Sequence, residues 1–371
     1  MKPRIVVSAV NVVEMGPLSI MNDALEVLAA VYSPAYEIVA VVHQRCLFTV
    51  PHVTYLEFPA VKRSWLRRLK FEYHDLKNLS RELKPDLWLS MHDITPSVVA
   101  KSQAVYCHNA SPFYPFHKAA PFVDWKFAMF TLLYRFVYRV HIHRNDYVIV
   151  QQNWMREAFR QLYGIENVIV AHPDASRMSR AGRDVAQYFP GSRRCRFMYP
   201  CFPRVFKNVE VVLEAVRLLA ERGHEDFTLC LTFNGTESRY SENLVTRYQT
   251  FKQIQFLGLL PRDAVLDRYG ETDCLVFASK LESWGMPITE YKPFRRPILV
   301  ADLPYAHETT GDHEAAAFFA PDDPACLAEL MEAVIEGRFG SRPVKAAPIA
   351  APYCQSWKQL FERIVPPITG A

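Results

Sequence analysis

The chain has 371 residues, half of them apolar and 22% charged, with a formal net charge of +4. That length predicts two domains, each with a sizeable core, and the composition excludes a disordered or low-complexity protein. So small a net charge, with no groove-reading motif, argues against a nucleic-acid partner.

The charge is uneven: residues 1–172 hold 19 Lys and Arg against 14 Asp and Glu, and the remainder is close to neutral. A mildly basic first half favours an anionic surface or acceptor beside it. The eight cysteines, at 46, 107, 195, 201, 230, 274, 326 and 354, show no C-x-x-C spacing. They read as small buried hydrophobes in a reducing compartment. The opening "MKPRIVVSAV" lacks a signal-peptide core and reads as a strand. With no apolar run near the ~18 residues of a spanning helix, a cytosolic protein is expected, compatible with a peripheral membrane contact.

In chain order, "RIVVSAV" (4–10) predicts a strand and "LSIMNDALEVLAAVY" a helix. Strands follow at "YEIVAVV" and "VTYLEF", a basic helix over about 65–83, then strands "DLWLSM" and "AVYCHN". A long helix near 125–142 precedes "DYVIVQ", a helix from 153, and "NVIVAH". Strands alternating with helices predict a parallel sheet covered on both faces. Residues 173–194 are polar and broken by Pro and Gly, and read as a linker. The alternation restarts at "CRFMYP", followed by a helix over "NVEVVLEAVRLLAERG" with Asn208 as N-cap and Gly223 as its stop. "FTLCLTF", "IQFLGL", "CLVFA", "RPILVA" and "AAAFFA" supply further strands, and a last helix lies near 353–365. The resulting organisation is α/β: an acceptor-type domain over 1–172, a linker over 173–194, a second domain over 195–352, and a C-terminal helix within 353–371 able to pack back on the first domain.

In an open parallel sheet, ligands bind outside the carboxyl ends of the strands, where helix N-termini point. "ESWGMPITE" (282–290) lies at such a place, directly after "CLVFA". Pro287 suits a first helical position, leaving the amides from Trp284 through Gly285, Met286 and Ile288 to face a phosphate. Glu282 before the helix and Glu290 in its first turn can each accept from vicinal hydroxyls of a sugar. The stretch offers them no cationic partner, so the helix dipole is expected to make both charges tolerable. "YPCFPRVFKN" places Arg204 and Lys207 just before a helix, the residue types that grip a diphosphate. Acids near helix starts and basic loops are also common surface features, and that plainer reading stays open on spacing alone.

Taken together, Arg204, Lys207 and Asn208 in "FPRVFKN" and the two glutamates of "LVFASKLESWGMPITEYKPFRRPILVAD" resemble the donor domain of family-4 retaining glycosyltransferases of the bacterial surface-polysaccharide type. The resemblance covers about residues 195–325. It implies the GT-B fold: two Rossmann-like domains facing across a cleft that holds a nucleotide-diphosphate sugar, with no metal and no cofactor. It puts Glu282 on the donor hexose, Glu290 on the ribose, and Arg204 and Lys207 on the leaving diphosphate. Many members carry an Arg six residues before the Lys, where this chain has Cys201. Lys280 and Trp284 replace a commoner small residue and Phe.

Two motifs in the first half follow strands, "SMHDITP" (90–96) and "YCHNASPFYPFH" (106–117). The resemblance carries His92 and His108 toward the reacting centre, with Asp93 and Asn109 as acceptor-side candidates. The plainer alternative for each histidine is a structural residue at a strand end. Gly16, after the first strand, stands where the family lets backbone approach the diphosphate. It is not part of a G-x-G-x-x-G, which speaks against a dinucleotide-dependent oxidoreductase. "VKRSWLRRLKFEYHDLKNL" (61–79) and "WKFAMFTLLYRFVYRVHIHR" (125–144) mix aromatic, apolar and basic residues, as suits an anionic leaflet and a lipid-linked or oligosaccharide acceptor. The expected function is transfer of a mannosyl, rhamnosyl or related group to a growing O-antigen or capsule glycan. A non-catalytic nucleotide-sugar binding protein and a same-fold epimerase or phosphorylase are the alternatives.

Overall fold

The computed structural model describes residues 2–13, 15–114, 125–174, 194–340 and 347–367. The chain divides into two compact units: Met1–Arg177 together with Ile349–Ala371, and Met178–Pro348. Apart from 173, 174 and 194, the expected linker lies outside the described residues.

The first unit carries strands β1 (Arg4–Ala9), β2 (Glu37–Val42), β3 (Thr54–Glu57), β4 (Leu87–Ser90), β5 (Ser102–Cys107), β6 (Tyr147–Val150) and β7 (Val168–Ala171). Its helices are α1 (Met15–Tyr32), α2 (Trp65–Lys70), α3 (Leu76–Leu83), α4 (Trp125–Arg139) and α5 (Asn153–Tyr163). The basic helix expected over 65–83 is continuous but not uniform, because a π-helical turn, Phe71–Asp75, joins α2 to α3. The second unit carries β8 (Cys195–Tyr199), β9 (Phe227–Leu231), β10 (Ile254–Phe256), β11 (Cys274–Phe277), β12 (Ile298–Ala301) and β13 (Ala316–Phe319). Between them run α6 (Val209–Glu221), α7 (Arg239–Tyr248), α8 (Arg262–Glu271), α9 (Met286–Tyr291), α10 (Pro304–Thr310) and α11 (Pro324–Ile335). The chain then returns to the first unit as β14 (Tyr353–Cys354) and α12 (Trp357–Ile364).

Both sheets are parallel, in the orders β14-β7-β6-β5-β4-β1-β2-β3 and β10-β9-β8-β11-β12-β13. The inner strands are covered on both faces, and β4, β9, β11 and β12 are buried at every residue, whereas the edge strand β3 buries none. The sequence pattern carries the second domain to 352, but residues 349–352 belong to the first unit. Arg156 Nη1 donates to Ala350 O at 2.9 Å, and Val170 N donates to Pro352 O at 3.1 Å, which aligns β14 on β7. Trp357, Leu360, Phe361 and Ile364 of α12 then enter the core under α1. Four such side chains contribute on the order of 6–12 kcal/mol before chain entropy.

Six cysteines are buried, but Cys46 is exposed and Cys326 half-buried. Asn208 precedes α6 in the left-handed region, at φ 55°, and its side chain does not cap that helix. Instead its Nδ2 donates to Pro321 O at 2.7 Å and Ala278 O at 3.3 Å, tying two loops together.

Candidate functional site

In the second unit β8 and β11 are neighbours, so the loops leaving their carboxyl ends meet. Lys280 N donates to Phe206 O at 2.7 Å and Ser279 Oγ to the same carbonyl at 3.3 Å. This seam brings Lys207, from the β8 loop, onto Glu282, from the β11 loop, as an ion pair in which both side chains are largely covered. Lys207 Nζ also lies over the Phe277 and Phe206 rings, at 5.6 and 5.7 Å. The expectation that the two glutamates lack cationic partners is therefore overturned, because the partners come from other loops. Glu290 is buried and paired with Arg262 at 3.1 Å, with Tyr269 Oη 3.4 Å from its other oxygen. Burial pushes the Glu290 carboxyl up, with Arg262 and the hydrogen bonds pulling the other way.

Gly285 caps α9 at φ +91°, and a Cβ there would stand 3.3 Å from Ile288 Cδ1 and 3.5 Å from Phe277 Cε1. The positive φ is what favours glycine here, and a methyl group would in addition press lightly on Ile288. Pro287 occupies the second helical position, after Met286. Ile288 N donates to Gly285 O at 3.0 Å, so that amide is spent within the turn. The Trp284 indole is buried and donates to Thr289 Oγ1 at 2.8 Å, and its carbonyl accepts from Thr309 Oγ1; its side chain packs the loop. Arg204 is exposed, its guanidinium 4.9 Å over Phe202. Cys201, at the position where the resemblance implies Arg, is buried, donates its amide to Thr232 Oγ1 at 2.9 Å, and has its thiol pushed up to about 12 by burial. It belongs to the loop's support.

In the first unit, His92, Asp93 and His108 line one cavity of about 220 Å³ with Asn11, Val12, Val13, Pro17 and Lys62. Asp93 has φ +71°, a left-handed conformation that Asp tolerates better than most residues. Its Oδ1 accepts from His108 N at 2.8 Å, Asn109 N at 2.9 Å and Tyr138 Oη at 2.9 Å. Its Oδ2 stands 3.5 Å from His108 Nε2. Asp93 thus sets the shape of the loop that presents His108. Asn109 turns its Oδ1 to Ser111 N, at 3.0 Å, and serves the same loop. His92 is almost fully buried, with Nε2 at 2.8 Å from Glu72 Oε1. Gly16 lies in the first turn of α1, and no atom would meet a Cβ there within 4 Å, so the fold does not demand glycine.

Sequence reasoning misses Glu72, Arg68, Arg262 and Tyr138. Glu72 and Arg68 fall in a stretch that reads as surface, yet both are buried. The signal is their i, i+4 spacing in a helical stretch whose other cations, Arg67 and Lys70, are exposed, as are Lys62 and Arg63 just before it. Among the described residues no helix is long and apolar enough to cross a membrane.

Residues 197–348 match the family described as Glycosyl transferases group 1. A 91-residue stretch is 28% identical to the serotype-specific mannosyltransferase WbdA of Escherichia coli, covering 24% of this chain and only 11% of that protein. Among solved structures, WaaG, a glycosyltransferase involved in lipopolysaccharide biosynthesis, aligns with a TM-score of 0.65 over 90% of both chains at 13% identity. Anabaena Alr3699/HepE in complex with UDP-glucose aligns with a TM-score of 0.61 over 90% of both chains at 15% identity. At such identities the structural likeness establishes the fold. The matched segment spans β9 to β13 and all but the first two residues of β8, so the second unit is a group 1 glycosyltransferase domain in a chain of GT-B fold.

Proposed function

We propose that this protein moves a hexosyl group, of the mannose or rhamnose type, from a nucleotide-diphosphate sugar to a growing lipid-linked surface glycan, with retention at the anomeric carbon. The observation that carries the reading is the convergence of Lys207 and Glu282 from adjacent strand ends beside the left-handed Gly285. A cation held by a carboxylate, next to a helix start, is a preorganised seat for a diphosphate with a sugar beside it. A donor would take over part of that ion pair: its phosphate oxygens to Lys207 and Arg204, its hexose hydroxyls to Glu282. The C1–O bond to phosphate breaks with its electron pair going to the phosphate oxygen. The acceptor hydroxyl forms the new bond on the same face of C1, and its proton passes to that departing oxygen. No metal ion is needed for charges met in this way. The likeness to a mannosyltransferase and to a protein bound to UDP-glucose supports the donor class.

The acceptor belongs with the first unit, whose cavity offers His92 and His108. A lipid-linked acceptor fits the surface made by α2 and α4, which pack through Trp65 and Tyr134, ring centres 6.0 Å apart. Leu66 is 81% exposed, and Leu132 and Phe136 are each 67% exposed. Lys62, Arg63, Arg67, Lys70 and Arg139 are exposed around them. Apolar side chains ringed by cations suit the anionic cytoplasmic leaflet. The test is incubation with a panel of nucleotide sugars and bacterial lipid-linked acceptors, with the product's anomeric configuration read by NMR. Transfer with retention supports the proposal; donor binding with neither transfer nor hydrolysis would make the protein a nucleotide-sugar sensor instead.

A further inference from the structure

The second unit holds another hollow, at the opposite end of its strands from Lys207 and Glu282. Strand β8 begins at Cys195 and β11 at Cys274, and beside these amino ends Arg194, Arg196 and Thr272 line a cavity of about 270 Å³. The sheet order explains the opening. The chain passes from β10 to β11 across β9 and β8, and its crossover helix α8 has only 10 residues, a length of about 15 Å. Register sets Arg196 beside Thr228, and Cys230 between Met198 and Gln255, so these side chains share one face of the sheet. On that face Arg196 and Gln255 are exposed, where a helix covering all three strands would have buried them.

The lining is cationic. Arg194, Arg196 and Arg268 bring three guanidinium groups against one carboxylate, that of Glu271. Arg194 is held by backbone, with Nε donating to Phe227 O at 2.9 Å and Nη2 to Glu225 O at 3.3 Å. Arg196 Nη1 reaches Glu271 Oε2 at 3.4 Å, a loose contact between two exposed side chains. Among the described residues no carboxylate pairs with Arg268. Burial pushes the Cys230 thiol up, and Arg268 and Arg196 pull it back, so both charges lie over the same floor. Thr228, 5% exposed, lines the cavity too, and its hydroxyl has no partner among the described residues.

We propose that this cavity is a binding site for a phosphate monoester. Guanidinium forks match the paired oxygens of a phosphate, and a dianion balances the two positive charges that Glu271 leaves uncompensated. The phosphate takes the open N–H groups of Arg196 and Arg268, and the Thr228 hydroxyl donates to it from the floor. The volume far exceeds the ~30 Å³ of a water molecule, leaving room for the organic part of the ester, whose hydroxyls can donate to Glu271. The site does not depend on the transfer reading.

The experiment is titration calorimetry on the full chain at low salt, with ribose 5-phosphate as the probe and inorganic phosphate and ribose as comparisons. The expected result is saturable binding of the ester, weaker binding of inorganic phosphate, and none of ribose. Arg196→Gln combined with Arg268→Gln should weaken the ester tenfold or more, while Lys207→Ala leaves it unchanged. Glu271→Gln, which removes the one opposing charge, should tighten it about fivefold, a gain that unfolding cannot produce. No saturable binding of the ester below about 10 mM overturns the proposal, as does a Glu271→Gln variant that binds no better than the parent. Binding that survives the double arginine variant but falls in Lys207→Ala puts the anion at the donor loops and overturns it as well. Equal affinity for inorganic phosphate would make the ligand the free ion and overturn the ester.

Discussion

Replacing Glu282 by Ala tests the donor site most directly, because the structure separates its effect on stability from its effect on chemistry. The substitution removes a charge-assisted hydrogen bond to Lys207, a class contributing about 1.5–3 kcal/mol. The lower part of that range applies, since the two side chains keep 17% and 16% exposure. Lys207 would also retain its two aromatic rings, a contact of about 0.5–1 kcal/mol. A loss near 1.5–2 kcal/mol lowers the melting temperature of a unit this size by roughly 3–8 °C. Losing one preorganised charged group at the reacting centre should cost about 10²–10³ in transfer rate. Scanning calorimetry and transfer from labelled donor, run on the same preparation, read the two effects apart. Transfer at the parental rate would refute the assignment of Glu282 to the donor. A transition lowered by far more than about 10 °C would show the pair to be chiefly structural, against the modest weight that its partial exposure implies.

Gly285→Ala forces a side chain into the left-handed region and against Ile288, and should destabilise the second unit by roughly 2–3 kcal/mol, measured by urea unfolding. Asp93→Ala removes the acceptor of three hydrogen bonds and should cost about 3–5 kcal/mol, whereas Asp93→Asn, which keeps an acceptor and tolerates the positive φ, should cost about 1.5 or less in the same assay. Because burial raises the Glu290 carboxyl above its ordinary 4.5, the folded chain binds that proton more tightly than the unfolded chain does. Its contribution to stability must then fall as pH rises from about 4.5 through the raised value, and Glu290→Gln should remove that slope from the difference between variant and parent urea midpoints. Leu66→Glu combined with Phe136→Glu should weaken flotation with anionic vesicles about tenfold or more, and unchanged flotation would remove the membrane surface from the proposal.

Most strands are legible because they are short apolar runs bounded by polar residues, a pattern that parallel sheets covered on both faces impose; β14 is not, since its two residues read in sequence as the start of the last helix, which begins only at Trp357. "CLVFA" and "RPILVA" are as plain in the sequence as β11 and β12 are in the fold. Helices α7 and α10 escape a reading by apolar pattern because part of what they bury is polar: "RYSENLVTRY" buries Ser241 with Leu244 and Tyr248, and "PYAHETT" buries Thr309 and Thr310 with Tyr305 and Ala306. The order of motifs along the chain places the donor loops but not their partners. Arg262 is 28 residues from Glu290 and Lys207 is 75 from Glu282, separations at which only tertiary contact reveals a pair. Glu72 is hidden for the opposite reason: surrounded by cations in sequence, it looks like one more surface charge.

The return of residues 349–367 to the first unit has a consequence for biogenesis. During synthesis the edge of β7 and the groove under α1 stay uncovered until residues 349–367 have left the ribosome, whereas every strand of the second sheet has emerged earlier. The later-made half can therefore mature first, and a nascent chain stalled near residue 348 would expose an unpaired strand edge and a bare apolar trough of the kind that chaperones and proteases recognise.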